Sequence, residues 1–483
     1  MKYLKKLCFS GIFTVVLCAI PLFCFILSGK GQATHQEANC FILIYNNSQL
    51  PLAKLIFDPL RTDWQCFQAR ELSYLIDALD ARFIGWCIKM HLAHFYSLSS
   101  IILLLISAGL IHRNLKRLFP RTIPYLLPLF PLLYTLCNLE NLSFFRSSKP
   151  WVSFGILIIF FHLAKVLQKP EKFASLRTHL PMLSTLVLIP FFDRIGFFAA
   201  ATCAAGTIVL LMLSSFRQLD RITGLSEQHS PALLTISIGA LGAVILSIIY
   251  NFYIAQELIF AFNGYYPSYF YQRLPENSFS DWSSGLAFIS CNCGFIVTSI
   301  SDPLYLEIAG FIFILFLLVA LTAPSRAPGT PMLRLLIFTG LFTAMGMCST
   351  LMISRHPAIK TLDVMFGRYF SPFFAVIAAL FSIAVCALRR RNIWQKIGIA
   401  FVVLALLCRT LQLTGIITTP EYPNGSMNFH NHSTAETIKL LNNPELPLTR
   451  IIPLSSWQLI GFFRNRSDVF TLEKNTYSPE NIK

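Results

Sequence analysis

The chain alternates between long apolar runs and short polar breaks, and the runs are too long for strands. Apolar stretches at 7–27, 95–111, 122–138, 151–167, 181–192, 195–216, 232–250, 306–323, 334–353, 370–388 and 397–417 approach the length a helix needs to cross a bilayer. They predict an all-α polytopic membrane protein with about eleven spans. The run at 181–192 is short and leads at once into "DRIG", so 181–216 reads as a tight hairpin. Three longer polar segments interrupt the pattern: 28–94, 251–305 and 418–483. Residues 1–417 form the transmembrane domain, and the tail 418–483 reads as a small outer segment.

The basic residues orient this pattern. Lys2, Lys5 and Lys6; Arg113, Lys116, Arg117 and Arg121; Lys165, Lys169, Lys172 and Arg177; Arg217 and Arg221; Arg326 and Arg334; and Arg389, Arg390, Arg391 and Lys396 all fall on one side. That side is cytoplasmic by the positive-inside rule. The N-terminus is then inside, while loops 28–94 and 251–305 and the C-terminal tail are outside. The compact loops fit a bacterial inner membrane. The net charge of +16 is spread over these short clusters and forms no single patch, which argues against nucleic acid.

One segment departs from the pattern. Only 13% of the chain is charged, yet "RTDWQCFQARELSYLIDALDARFIGW" at 61–86 holds Arg61, Asp63, Arg70, Glu71, Asp77, Asp80 and Arg82. On a helix over 64–86, Leu72, Leu75, Ile76, Leu79, Phe83 and Trp86 share one face, and Arg70, Tyr74 and Asp77 lie opposite. Such a helix is too charged to span, so it is expected to lie along the outer membrane surface or to pack on the other helices there. The plainer of the two readings is an interfacial anchor whose charges face water. Asp77 and Asp80 are read as solvated or paired with Arg82.

The candidate chemistry lies in the outer loops. Loop 28–94 carries the acids Glu37, Asp58 and Asp63 together with Arg70. A second outer loop, "SRHPAIKTLDVMFGRYFSPF", places Arg355, Lys360 and Arg368 on the side the positive-inside rule disfavours. Arginine offers a planar fork suited to a phosphate, and a carboxylate can take a proton. Arg409, in the last span, is read as snorkelling outward, with a polar cavity as the alternative, and Asp193 and Arg194 as a local pair. No Walker loop, dinucleotide fingerprint or GxSxG is present, and neither the scattered histidines nor Cys291 and Cys293 have metal-ligand spacing. Nothing in the sequence calls for a metal or cofactor.

Together these features resemble the GT-C superfamily of integral-membrane glycosyltransferases, in the branch related to O-mannosyltransferases. "FQARELSYLIDALD" stands where that branch has a Tyr-Arg-Pro-Leu segment, with Arg70 at its arginine and Glu71 in place of proline. "FDPLRTDW" resembles the segment before it, and "GRYFSPFFAVIAAL" resembles the openings of late helices. Where the family has an acidic pair, "HQEANC" offers Glu37 alone. The resemblance implies transfer of a sugar from a polyprenyl-phosphate donor to an acceptor hydroxyl at the outer face. Asp63, Glu37 or Asp58 would be the base, and Arg368, Arg70 and Arg355 would bind the donor phosphate. The implied partners are a lipid-linked sugar, an acceptor and membrane lipids. The competing reading is a transporter or flippase of a lipid-linked or amphiphilic substrate.

Overall fold

The computed structural model describes residues 7–27, 45, 51–57, 69–90, 97–120, 122–139, 142, 147–215, 225–264, 266, 289–291, 293–294, 296–298, 303–322, 339–340, 366–388 and 392–414. Among these residues all regular structure is helical: α1 (Gly11–Leu27), α2 (Leu52–Phe57), α3 (Glu71–Lys89), α4 (Leu98–Leu118), α5 (Leu126–Cys137), α6 (Ser148–Gln168), α7 (Leu176–Leu188), α8 (Arg194–Ser214), α9 (Ser230–Ile249), α10 (Ala255–Asn263), α11 (Pro303–Thr322), α12 (Phe366–Ala387) and α13 (Ile393–Leu413). Among the described residues, five helical stretches are long and apolar enough to cross a membrane: Leu98–Leu118, Ser148–Gln168, Ile195–Ser214, Glu227–Asn263 and Ile393–Leu411. Gly11–Leu27, Leu126–Cys137, Leu176–Phe191, Leu304–Ala320 and Pro372–Ala387 are apolar but shorter. The predicted span 334–353 lies outside the described residues except for Thr339 and Gly340.

The helices sort their residues by what surrounds them. α6 is apolar on every side and buried on nearly every side, which marks it as the centre of the bundle. α4, α7 and α12 pack against it. The outer helices instead turn apolar stripes outward. On α1, Ile12, Val16, Ile20, Phe23 and Leu27 recur at helical spacing and are all more than half exposed. Leu304, Ile308, Phe311, Ile312 and Leu315 form a similar exposed stripe on α11. Apolar surface on this scale fits contact with lipid and is unfavourable in water.

The predicted hairpin at 181–216 is present. α7 ends in a 3₁₀ turn over Ile189–Phe191, and Asp193 caps α8 by accepting the Ile195 amide at 3.1 Å. The turn is tight because residue 196 is glycine. A Cβ there would collide with the backbone of Ile189 and Pro190.

The outer loop assigned to 251–305 begins later than the hydropathy suggests. α9 continues through a π-turn over Tyr250–Ile254 into α10, and Gly264, with φ of 78°, ends it. The whole stretch Glu227–Asn263 has 37 residues and measures about 55 Å, well beyond the ~30 Å hydrocarbon layer. Aromatic residues obscured its end in the sequence. Its protruding part is a mast for the first loop: Phe57 of α2 stacks on Phe262 at 4.8 Å, and Asn263 donates to the Lys54 carbonyl at 3.3 Å.

α3 is a helix with two faces, as predicted from 71 onward, while 64–68 lie outside the described residues. Its orientation is the reverse of a water-facing anchor. Ser73, Tyr74, Asp77, Asp80, Ala81 and Ile84 are buried, whereas Leu79 and Trp86 are 55% and 54% exposed. The polar face packs inward because Asp80 finds its partners there, at the start of α4. Asp77 and Asp80 are therefore not solvated and do not pair with Arg82, which is exposed. Asp80 fastens the start of α4: it accepts the Ser99 amide at 3.0 Å and the hydroxyls of Ser97 and Ser99 at 2.7 and 2.6 Å.

Burial raises the Asp80 carboxyl, against these hydrogen bonds, which lower it. Its contribution to stability therefore falls as pH climbs from the unfolded value near 3.9 through the raised folded value. Asp80→Ala should cost about 1–3 kcal/mol by orphaning the buried Ser97 hydroxyl and two part-buried donors of Ser99. Asp80→Asn should cost less, since an amide keeps one acceptor and carries no buried charge. Thermal unfolding of the two variants in detergent checks the order; equal losses would contradict it.

Candidate functional site

One end of the bundle gathers charge. There the N-terminus of α3, the N-terminus of α6, the α7–α8 turn and the π-turn of α9 meet. Lys149, on the first turn of α6, places Nζ 2.6 Å from Oδ2 of Asp193. Arg70, immediately before α3, places Nη1 3.5 Å from the same oxygen. Asp193 is 1% exposed and Lys149 4%, so this is a buried charge cluster in an otherwise apolar bundle. Its supports are local. Ala69 donates its amide to Asn251 at 3.3 Å, and the Tyr250 phenol lies close to the Glu71 carboxylate. The π-turn supplies both partners, and it aims two consecutive side chains at the entry to α3. Trp151 stacks on Phe192 at 4.8 Å and 4°, beside the cluster, and Phe191 packs edge-on to Tyr250.

Burial by itself would raise the Asp193 carboxyl. The positive charges of Arg70 and Lys149, with hydrogen bonds from Lys149 and the Ile195 amide, outweigh it and hold the group well below the usual carboxylate range. So low a pKa makes Asp193 a poor proton acceptor. Its role is to keep two cations charged and in place.

Several donors at this end are not used. The hydroxyls of Ser147 and Ser148, the indole N–H of Trp151 and Nε of Arg70 are buried with no hydrogen-bond partner in the structure. Each buried polar group left unmatched costs about 1–3 kcal/mol.

Of the residues singled out in the sequence, the structure brings Arg70 into this cluster. Arg368 stands in the first turn of α12, its side chain outside the described residues. Glu37, Asp58, Asp63 and Arg355 also lie outside them. Asp193 reaches across to Lys149 on α6 and to Arg70 of the first loop; the side chain of Arg194, its expected local partner, lies outside the described residues. Arg409 does not snorkel outward, being 5% exposed and turned into the bundle. Lys149, Tyr250 and the two serines escaped the sequence reading. Lys149 carried a usable signal, because it is a cation at the predicted outer end of a span, where the positive-inside rule disfavours it.

The opposite end is built differently. His162 and His179 are hydrogen-bonded at 3.0 Å, and His179 Nε2 bonds the Phe173 carbonyl at 2.8 Å. His229 Nε2 reaches the Leu167 carbonyl at 3.1 Å. These contacts clamp helix ends together. No group of three His, Cys, Asp or Glu side chains fit to hold a metal occurs among the described residues. Comparison with known protein families, curated proteins and solved structures returns no match.

Proposed function

We propose that this chain is an outer-face membrane glycosyltransferase that takes a sugar from a polyprenyl-phosphate donor and gives it to an acceptor hydroxyl. The observation that supports it most is the buried cluster of Arg70, Lys149 and Asp193 at one end of an apolar bundle, beside unmatched donors of Arg70, Ser147, Ser148 and Trp151. A lipid-linked donor reaches such a site from within the bilayer. It needs no nucleotide cradle, and the sequence has none.

In the reaction, the acceptor oxygen attacks the anomeric carbon while the bond from that carbon to the phosphate oxygen breaks. The acceptor proton passes to a carboxylate, and the polyprenyl phosphate leaves with the bonding electrons. Arg70, with Arg368 and Arg355, offsets the charge gained by the leaving phosphate. The base is Asp63, Glu37 or Asp58, since Asp193 is held too acidic for the task.

The topology that goes with this reading has eleven spans, a cytoplasmic N-terminus and an external tail, in a bacterial inner membrane. Every residue of the charged cluster then lies at the external ends of its helices, and the histidine clamps at the cytoplasmic ends. An impermeant thiol reagent applied to spheroplasts should label a cysteine placed at 63 or after Pro420, and should not label one placed at Arg390. A protected tail would break the eleven-span count. Function itself is tested by sugar transfer in liposomes from a panel of polyprenyl-phosphate sugars, where failure with every donor would remove the assignment.

A further inference from the structure

Donors gather at the start of α6 without matching acceptors. Ser147, at the N-cap, makes no side-chain hydrogen bond to the helix, although serine is among the best residues for that purpose. Its hydroxyl and that of Ser148 are buried, each residue 1% exposed, and neither has a partner. One turn further on, Ser153 behaves ordinarily and donates to the Lys149 carbonyl at 2.8 Å. The Trp151 indole N–H and Arg70 Nε are buried without a hydrogen-bond partner as well. Pro150 contributes no amide.

The helix end at this turn favours an anion. A 21-residue helix presents its positive end here. Two cations, Arg70 and Lys149, stand against two carboxylates, Asp193 and Glu71, so formal charge is balanced and the preference comes from the helix end and the donors. The unmatched donors are two hydroxyls, which can also accept, an indole N–H and a guanidinium N–H. Oδ2 of Asp193 is also left without an amide or hydroxyl donor but lies 2.6 Å from the Lys149 ammonium, so donors predominate among the groups left over. A sugar hydroxyl needs acceptors as well as donors, and a cation needs acceptors alone. A tetrahedral oxyanion accepts from every direction and suits the set.

We propose that the first turn of α6 is a phosphate site, formed by Ser147, Ser148, Lys149 and Trp151 with Arg70, and held in register by Asp193. It deepens the glycosyltransferase reading by assigning the phosphate of the donor to this turn. A phosphate here would come from a polyprenyl phosphate headgroup or from free inorganic phosphate.

The test uses the full-length protein in nanodiscs of zwitterionic lipid, titrated in separate arms with polyprenyl phosphate and with inorganic phosphate. Wild type should bind phosphate saturably. Ser147→Ala/Ser148→Ala should weaken that binding by about 10- to 100-fold, as loss of hydrogen bonds to a charged group does. Its melting temperature should stay the same or rise, because the substitutions remove unmatched buried hydroxyls. Tighter binding in the lipid arm identifies the lipid as source, and equal binding in both arms identifies the free anion. No saturable binding in either arm, or unchanged affinity in the double variant, overturns the site. Because the readout is binding, phosphate binding without sugar transfer would defeat the glycosyltransferase reading and leave the site standing. Transfer with unaltered binding in the variant would do the opposite.

Discussion

Asp193→Ala should lower stability by about 3–5 kcal/mol, the usual loss when one partner of a buried ion pair is removed. The reason is what stays behind. Lys149 is 4% exposed, so its ammonium would stay buried after losing the carboxylate 2.6 Å away. α8 would also lose its cap, worth about 1 kcal/mol. Asp193→Asn keeps the cap and loses only the charge, so it separates the two effects and should retain most of the damage. Adding Lys149→Met to Asp193→Asn should recover more than half of the loss, since a buried pair replaced by apolar groups is often neutral; Arg70, whose side chain is 17% exposed, keeps access to solvent. The acid response follows from the low pKa. A carboxylate held below its unfolded value of about 3.9 stabilises fully above that pH and loses the contribution as pH falls toward the folded value. Thermal unfolding of the wild type between about pH 4 and pH 2 should therefore show an acid-dependent loss that Asp193→Asn lacks. Identical slopes would show that Asp193 is not held by its cations.

The second large effect is on turnover. Replacing the true base with its amide should cut transfer about 10²–10⁴-fold while leaving the fold and donor binding in place. The comparison is between Asp63→Asn and Glu37→Gln, with Asp58→Asn as the third arm, all in the same liposome assay. One of them should collapse, and full activity in all three would place the base elsewhere. Asp193→Asn is the instructive contrast in that assay. It should lose protein before it loses chemistry, because it holds cations and does not accept the proton.

The helical architecture was legible because hydrophobicity is repeated at span length, and ten of the eleven apolar runs coincide with a described helix. Boundaries were legible only where a helix has a chemical stop. Asp193 and Gly196 mark the hairpin plainly, whereas α9 runs past its apolar stretch because Tyr250, Phe252, Tyr253 and Phe260 are as acceptable in a helix as in an interfacial loop. The two faces of α3 could be read from its period, but not which face would be buried. Period reports that faces differ, and the surroundings decide which one turns inward. Arg70 was legible as a candidate because it interrupts an apolar context. Its partners were not, since Asp193 lies 123 positions away and no local pattern joins them. A pair formed across a fold shows in sequence only as two charges, each out of place for its own span.

The account rests most heavily on the claim that the chain breaks the bond between sugar and phosphate, and does not merely carry the lipid across. One preparation decides it: sealed liposomes holding the purified protein, with a polyprenyl-phosphate sugar labelled in both sugar and lipid, and acceptor supplied at the external side. The glycosyltransferase reading predicts that the two labels separate, with sugar on the acceptor and free polyprenyl phosphate left in the membrane. If both labels instead stay together and appear in the opposite leaflet, the chain is a flippase and the account is contradicted.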